Sequence, residues 1–224
     1  MHSTSFDAAL AAKIDHTLLR PDAREIDVQR LCDEARAFGF ASVCVNPSWV
    51  RLCHVNLRDS ASRVCTVIGF PLGCNRTEVK VRETELALRD GAGEVDMVLH
   101  IGRLTQGDTA YVEQDIAAVA RAVKNESEDA ILKVILEISM LTVQEIETAC
   151  RIAVATEVDF VKTSTGFGGG GATPEAVTLM RRIVGADIGV KASGGIRTRA
   201  DALKMIEAGA NRIGASASIA IVRT

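Results

Sequence analysis

The 224-residue sequence is poor in aromatic side chains, in charge of one sign and in long apolar runs. Aromatic residues make up only 4% of the chain, which argues against a platform for stacking nucleic-acid bases. The 26 basic and 29 acidic residues give a net charge of -3, so no strongly basic surface is available for nucleic acid or a membrane. No segment reaches the ~20 apolar residues of a membrane span. We therefore expect neither a nucleic-acid partner nor a membrane partner.

Metal-binding and targeting patterns are also missing. The six cysteines form no C-x-x-C pair and stand at no zinc-ligand spacing from a histidine, so we predict neither a metal nor a cofactor. A chain of this length does not need disulfides, which favours free thiols in a reducing compartment. The first residues, MHSTSFDAAL, have no basic region followed by an apolar one, so we expect no signal peptide. These features predict a cytoplasmic protein.

What the chain does contain is a repeated pattern of short Val/Ile-rich runs, each followed by an amphipathic segment. Such alternation predicts βαβ units and a parallel sheet. The predicted strands are Lys13–Thr17, Ala41–Val45, Arg63–Gly69, Glu94–Leu99, Ile131–Glu137, Val158–Lys162, Ile188–Lys191 and Arg212–Ala215. We predict an α/β fold, a single-domain (β/α)8 TIM barrel over residues 1–224, with a short helix around Phe6–Ala12. An open doubly wound sheet is the alternative, but DHTL stands where its Gly-rich turn belongs.

Several segments between the strands carry helix signals. Thr142 and Glu145 form a capping box, Thr173 precedes a proline at the first helical position, and Asp108 precedes an apolar helical face. Helix ends are indicated by three glycines placed before strands: Gly39, Gly91 and Gly209.

In a barrel, the active site lies at the carboxyl ends of the strands, and two of the predicted ends carry lysines. Lys162 and Lys191 end consecutive strands, where burial and mutual repulsion would lower both pKa values. A neutral lysine attacks carbonyls to form a Schiff base. The structural alternative is that both lysines only form ion pairs with Asp96, Asp15 or Glu137.

Glycine-rich loops follow the last three predicted strands. Backbone N–H groups in such loops bind phosphate in many barrels, so we predict a phosphorylated substrate. The stretch Gly168–Gly171 is equally compatible with a flexible loop. The predicted phosphate-binding residues are Gly166, Gly194, Gly195, Gly214 and Ser216.

Other polar or reactive residues have plainer interpretations. Cys44 lies in an apolar strand, where a thiol is most often a small buried side chain. Cys65 and Cys74 are expected to be inert thiols, and His16 a hydrogen-bonded structural residue.

Nine segments together resemble the deoxyribose-phosphate aldolase family. They are KIDHTLL, VCVNPSWV, TVIGFPLG, EVDMV, LKVILE, DFVKTSTGF, GGATPEAV, GVKASGGIRT and RIGAS, in order from about Lys13 to Val222. The resemblance implies a (β/α)8 barrel and a metal-independent class I aldolase that cleaves 2-deoxyribose 5-phosphate to glyceraldehyde 3-phosphate and acetaldehyde. It also implies a homodimer or homotetramer.

The resemblance assigns roles by position. Lys162 matches the Schiff-base lysine, Lys191 the second lysine that keeps the first unprotonated, and Asp96 the aspartate of the proton relay. The residues expected to contact the substrate are Asp15, Thr17, Cys44, Lys133 and Thr165.

Three positions depart from the family pattern. His100 stands where an Asn is common, and Ala217 stands where a second serine often follows Ser216. Some members have a C-terminal tyrosine, whereas the only tyrosine here is Tyr111. Either proton transfer works without that tyrosine, or the tail is shorter than usual.

Two other functions remain open from the residues alone. One is a barrel isomerase or lyase that uses the phosphate loops without a covalent lysine. The other is a non-enzymatic sugar-phosphate sensor or scaffold.

Overall fold

The computed structural model describes residues 5–224, and its eight strands form one closed parallel barrel. The strands are β1 (Ile14–Leu18), β2 (Ser42–Val45), β3 (Arg63–Ile68), β4 (Glu94–Val98), β5 (Ile131–Ile135), β6 (Phe160–Lys162), β7 (Gly189–Ser193) and β8 (Arg212–Ala215). Each strand pairs with the next, and β8 pairs with β1. The predicted fold class is confirmed, and the predicted strand ends lie within two residues of those observed.

Helices connect the strands and cover the outside of the barrel. They are α1 (Ala8–Ala11), α2 (Glu25–Phe38), α3 (Val50–Asn56), α4 (Thr77–Arg89), α5 (Ile101–Thr105), α6 (Thr109–Glu126), α7 (Val143–Ala155), α8 (Pro174–Val184), α9 (Arg199–Glu207) and α10 (Ser218–Val222). Short 3-10 turns span Pro47–Trp49 and Ile138–Met140. Among residues 5–224, no helix combines the length and the apolar character needed to cross a membrane.

The predicted helix caps are present. Asp108 accepts the N–H of Tyr111 at 3.3 Å at the start of α6, and Thr142 and Glu145 form the capping box of α7. Thr173 caps α8. The helix α2 ends at Gly39, whose φ of +65° is the left-handed conformation that glycine adopts without a steric penalty.

One predicted strand is shorter than expected. The apolar run of β5 was expected to extend to Glu137, but the strand ends at Ile135. Glu137 has a left-handed backbone, with φ 59° and ψ 61°, and it begins the 3-10 turn. That conformation cannot continue an extended strand.

The register of the barrel places charged side chains in one interior layer. Asp96 on β4 lies opposite Lys133 on β5, and Lys162 on β6 lies opposite Lys191 on β7. All four side chains are buried, and Asp96, Lys133 and Lys191 are 0% exposed. Lys162 is 3% exposed and lies nearest to solvent of the four. The carboxyl ends of these strands therefore form the floor of the candidate site.

Candidate active site

Asp96 is the centre of the buried polar cluster. Its Oδ2 accepts hydrogen bonds from Lys162 Nζ at 2.9 Å and from Lys191 Nζ at 2.7 Å. Its Oδ1 accepts from Lys133 Nζ at 2.8 Å and from the Cys65 thiol at 3.2 Å. One carboxylate from β4 therefore binds amines from β5, β6 and β7.

Two further buried carboxylates, those of Asp15 and Glu94, form ion pairs with the basic side chains of the cluster. Lys191 Nζ lies 2.5 Å from Asp15 Oδ2, and Lys133 Nζ lies 2.6 Å from Glu94 Oε2. Arg212 lies 2.6 Å from Asp15 Oδ1 and 3.3 Å from Glu94. Two of these residues, Glu94 and Arg212, lie at the first positions of β4 and β8. They lie at the opposite ends of these strands from the predicted site, and no sequence pattern pointed to them.

The ion pairs leave Lys162 without a carboxylate of its own. Within residues 5–224, the cluster has the carboxylates of Asp15, Glu94 and Asp96 and four basic side chains. The only carboxylate that Lys162 contacts is Asp96, which already binds two other amines. If Lys162 is a neutral amine, the formal charges of the cluster balance.

Asp96 and Asp15 stay ionised despite their burial. Burial acts to raise the pKa of Asp96, but Lys133, Lys162 and Lys191 outweigh it and hold that pKa well below its usual range. Burial likewise opposes ionisation of Asp15, and the charges of Lys191, Lys133 and Arg212 lower its pKa.

The expected lowering of the Lys191 pKa is wrong. Burial does act to lower it, but Asp15 and Asp96 outweigh burial and raise the Lys191 pKa above its usual value. Two carboxylates within hydrogen-bond distance stabilise the ammonium more than a neighbouring lysine destabilises it. Lys191 is therefore a fixed positive charge beside Lys162.

A cavity of about 420 Å³ opens above the cluster at the carboxyl ends of β1, β6, β7 and β8. Lys162 lies at its floor. The predicted site residues that line the cavity are Thr17, Lys162, Thr165, Gly166, Gly194, Gly195, Gly214 and Ser216. Asp15, Cys44, Asp96, Lys133 and Lys191 do not line it, because they are buried in the barrel interior.

The segment of residues 165–172, here called the glycine strap, lines this cavity with its first three residues. A Cβ at Gly168 would lie 2.7 Å from Glu137 Cδ, and one at Gly170 would lie 2.5 Å from Ser139 Cβ. A Cβ at Gly171 would lie 2.3 Å from the carbonyl oxygen of Gly194. The close approach at Gly168, Gly170 and Gly171 favours a packed segment over a flexible loop, although a Cβ at Gly169 would meet nothing within 4 Å.

The three cysteines near the site differ in burial, because Cys44 and Cys65 are buried and Cys74 is exposed. Cys65 was expected to be inert near a loop, but it lies inside β3, where it donates to Asp96 and accepts from Lys133 Nζ at 3.3 Å. Burial and the charge of Asp96 raise the Cys65 pKa, so the thiol stays protonated and donates. Cys44 is fully buried beside it, whereas Cys74 is exposed.

Two groups of side chains could supply metal ligands. They are Cys44, Cys65 and Asp96, and Asp15, Cys65 and Glu94, whose ligand atoms lie within 4.8 Å of one another. In both groups lysine ammonium groups already occupy the carboxylates. The absence of a metal requirement stays a prediction.

Two histidines, His16 and His100, form structural contacts. His16 lies 2.9 Å from the Ser218 hydroxyl through Nδ1 and 2.7 Å from Glu34 through Nε2. Burial lowers the His16 pKa. His100 caps α5 by accepting the N–H of Arg103 at 3.3 Å, and its ring packs on Tyr111.

The cavity also has a basic and an aromatic component that sequence reasoning missed. Arg20, Arg197 and Phe167 line it, and the Phe167 ring packs edge-on against Phe70. Arg197 stands two residues after the glycine pair of the β7 loop, and this position was an available signal. Arg20 lies five residues beyond Asp15 in the loop after β1, and only the fold brings it to the glycine loops.

Comparison with known proteins agrees with this geometry. Residues 9–222 match the model of the DeoC/LacD family aldolases. The chain is 57% identical to deoxyribose-phosphate aldolase 1 of Bacillus licheniformis over 96% of this chain and 95% of that protein. It is 56% identical to the deoxyribose-phosphate aldolase of a Thermoanaerobacter species, over 95% of each chain.

Among solved structures, the tetrameric deoxyribose phosphate aldolase of Aeropyrum pernix superposes with a TM-score of 0.89 and 34% identity. The match covers 96% of this chain and 89% of that one. With its closed barrel, its buried lysine cluster and relatives this similar, the chain belongs to the DeoC/LacD aldolase family.

Proposed function

We propose that this chain is a class I aldolase that reversibly cleaves 2-deoxy-D-ribose 5-phosphate to D-glyceraldehyde 3-phosphate and acetaldehyde. The observation that carries the proposal is the position of Lys162. Its Nζ lies at the floor of the cavity and shares Asp96 Oδ2 with the fixed ammonium of Lys191. The substrate class is that of the two deoxyribose-phosphate aldolase relatives.

The first step joins the substrate to Lys162. The neutral amine adds to the C1 aldehyde of the open-chain sugar and gives a carbinolamine. Loss of water then gives an iminium, which is a protonated Schiff base and an electron sink. Asp96 lies within hydrogen-bond reach of this nitrogen, and Lys191 binds the same carboxylate oxygen, so the pair is placed to carry protons to and from the departing water.

The second step breaks the carbon–carbon bond. A base removes the C3 hydroxyl proton, the C2–C3 bonding electrons move to the iminium nitrogen, and glyceraldehyde 3-phosphate leaves. The remaining enamine is protonated at C2 and hydrolysed, which frees acetaldehyde and Lys162. We assign proton transfer in this step to Asp96, acting with Lys191 and a bound water. Thr17 and Thr165 line the cavity and are proposed to contact the sugar, with Asp15, Cys44 and Lys133 supporting them from below.

The glycine loops are proposed to bind the phosphate. Gly166, Gly194, Gly195, Gly214 and Ser216 line one end of the cavity together with Arg197. Backbone N–H groups beside the first turns of helices bind anions through hydrogen bonds and the helix dipole. The β7 loop precedes α9, whose first turn is capped by Thr198. A phosphate bound here would hold the far end of the sugar while C1 reaches Lys162.

Reductive trapping tests this function. Borohydride added with 2-deoxyribose 5-phosphate is expected to reduce the Schiff base and add the mass of the bound fragment to Lys162, as read by peptide mass spectrometry. Lys162→Arg cannot form an imine, so it is expected to give no adduct and no cleavage. Absence of an adduct in the unaltered chain, or cleavage retained by Lys162→Arg, would overturn the proposal. The same assay with unphosphorylated 2-deoxyribose reports on the phosphate loops.

We also propose that residues 1–224 form one domain that assembles as a homodimer or homotetramer in the cytoplasm. The single closed barrel supports the domain assignment, and the six cysteines, all free thiols, suit a reducing compartment. A solved relative is described as a tetramer. Light scattering on the purified chain would measure the assembly, and a monomeric mass would contradict this part.

A further inference from the structure

Glu137 is a buried carboxylate that the proposed chemistry does not use. Its side chain is 1% exposed, and its Oε1 has no hydrogen-bond partner among the described residues. It has a left-handed backbone, with φ 59°, which is uncommon for a residue other than glycine. Burying a carboxylate and holding this backbone both cost free energy, and such costs concentrate where a structure serves a function.

The contacts of Glu137 converge on one residue of the glycine strap. Its Oε2 accepts the backbone N–H of Thr165 at 3.2 Å and also the hydroxyl hydrogen of Thr165. The Thr165 Oγ1 in turn accepts the N–H of Phe167 at 2.9 Å. This chain of hydrogen bonds fixes the turn around Gly166, where φ is +87°.

The same carboxyl group limits the path of the strap beyond Phe167. Gly168 packs directly on the Glu137 side chain, so any side chain at position 168 would displace one of the two. Farther along, the N–H of Ala172 lies 3.1 Å from the carbonyl oxygen of Ser193 and 3.0 Å from that of Gly194. The strap thus connects the end of β5 to the glycine pair after β7.

We propose that Glu137 is a positioning residue for the reaction. Its carboxylate holds the glycine strap so that Gly166 and Gly194 present their backbones to the substrate phosphate. This inference rests on the proposed function, since it assigns Glu137 to the phosphate end of the same cavity. Glu137 acts through Thr165 and does not touch the substrate, because it does not line the cavity.

The hydrogen bonds between Thr165 and Glu137 define what a substitution at position 137 must preserve. Both hydrogen bonds from Thr165 end on one oxygen, Oε2, so a single acceptor at that place is sufficient. Glutamine keeps one acceptor oxygen on a side chain of the same shape, whereas alanine keeps none. Glu137→Gln is therefore the matched control for Glu137→Ala.

Steady-state kinetics with two substrates tests the role. For Glu137→Ala we expect kcat/KM for 2-deoxyribose 5-phosphate to fall about 10²-fold through a higher KM, the scale of a small misplacement in an active site. We expect kcat/KM for unphosphorylated 2-deoxyribose to change little, and Glu137→Gln to restore most of the loss. Equal losses on both substrates, no loss on either, or a Gln variant as poor as the Ala variant would each overturn the proposal.

A second variant and a binding measurement complete the test. If Glu137→Ala does not fold, Gly168→Ala disturbs the same contact from the other side, because a Cβ at position 168 would lie 2.7 Å from Glu137 Cδ. The Gly168→Ala variant is then expected to show the same selective loss on the phosphorylated substrate. Calorimetric binding of glycerol 3-phosphate needs no cleavage, so it separates the two proposals. Weaker binding in Glu137→Ala than in Glu137→Gln supports the positioning role even if Lys162 forms no adduct, and equal binding refutes it.

Discussion

At the scale of single residues, the site depends on how many amines share one carboxylate. Asp96 accepts from Lys133, Lys162 and Lys191, and these charges keep its pKa well below the usual range. A carboxylate with so low a pKa is ionised near neutral pH. We therefore propose that Asp96 holds the three amines in place and accepts a proton only transiently, passing it on to the bound water or to an amine.

Asp96→Asn tests this role. We expect kcat to fall about 10²- to 10⁴-fold, the usual range for loss of proton-transfer assistance, because an amide cannot balance the surrounding ammonium groups. Cys65→Ala removes a weaker hydrogen bond to the same carboxylate and is expected to lower kcat far less. Steady-state rates on 2-deoxyribose 5-phosphate give the comparison. An Asn variant as active as the unaltered chain would contradict the assignment.

At the scale of elements, the αβ connections stabilise the barrel while the βα loops carry the chemistry. The helix α2 ends in the left-handed residue Gly39, and a Cβ there would meet nothing within 4 Å. Only the backbone conformation therefore opposes a side chain at this position. Its effect on stability is separable from any effect on the site, since αβ turns lie at the opposite end of the barrel from the βα loops.

Gly39→Ala is expected to lower the free energy of unfolding by about 1–2 kcal/mol, the cost of a left-handed residue with a Cβ. Gly39→Asn is the matched control, because Asn tolerates this conformation and is expected to cost less. Urea unfolding of both variants measures the difference, and kcat on the proposed substrate is expected to be unchanged. An Ala variant as stable as the unaltered chain would show that α2 ends in another way.

At the scale of the whole molecule, stability should depend on pH through the buried cluster. The pKa values of Asp15 and Asp96 are lowered on folding, so the stability they confer is present above about pH 4 and is lost as pH falls below it. The pKa values of Lys133 and Lys191 are raised, so their contribution is present below about pH 10 and is lost as pH rises beyond it.

Urea midpoints measured from pH 3 to pH 11 are expected to show a plateau between these limits and a fall on either side. The exposed carboxylate of Asp22 pairs only with Arg20 among the described residues and serves as the control. We expect Asp22→Asn to leave the profile unchanged and Asp15→Asn to cost about 3–5 kcal/mol on the plateau, as for other broken buried pairs. A profile with no acid-side fall would count against the ionised cluster.

The sequence alone was enough to predict the repeated strand–helix units of the barrel. Apolar runs and cap residues such as Thr142 and Asp108 are local signals, and they predicted the barrel and its helix starts. The family assignment is confirmed, because the segments around Lys162 and Lys191 are short and distinctive.

Local sequence patterns could not predict which charged side chains pair across the barrel. The sign of the Lys191 pKa shift depends on Asp15 and Asp96, which are far away in sequence. The position of Arg20 and the end of β5 at Glu137 also depend on contacts between loops and on backbone geometry. The assigned roles of the site residues stay predictions until the variants are measured.

The balanced charges around Asp96 have a consequence for the course of the reaction. In the proposed mechanism a neutral Lys162 balances the formal charges of the cluster, and each iminium formed on Lys162 adds one positive charge to it. The barrel would thus alternate between two electrostatic states in every turnover, with Asp96 Oδ2, which lies 2.9 Å from Lys162 Nζ, beside the nitrogen. Carbon–carbon cleavage would neutralise the Lys162 nitrogen, and protonation of the enamine would make it positive again. The fixed charges around Asp96 would therefore face a nitrogen whose charge switches reversibly, which suits a reaction that makes and breaks the same bond.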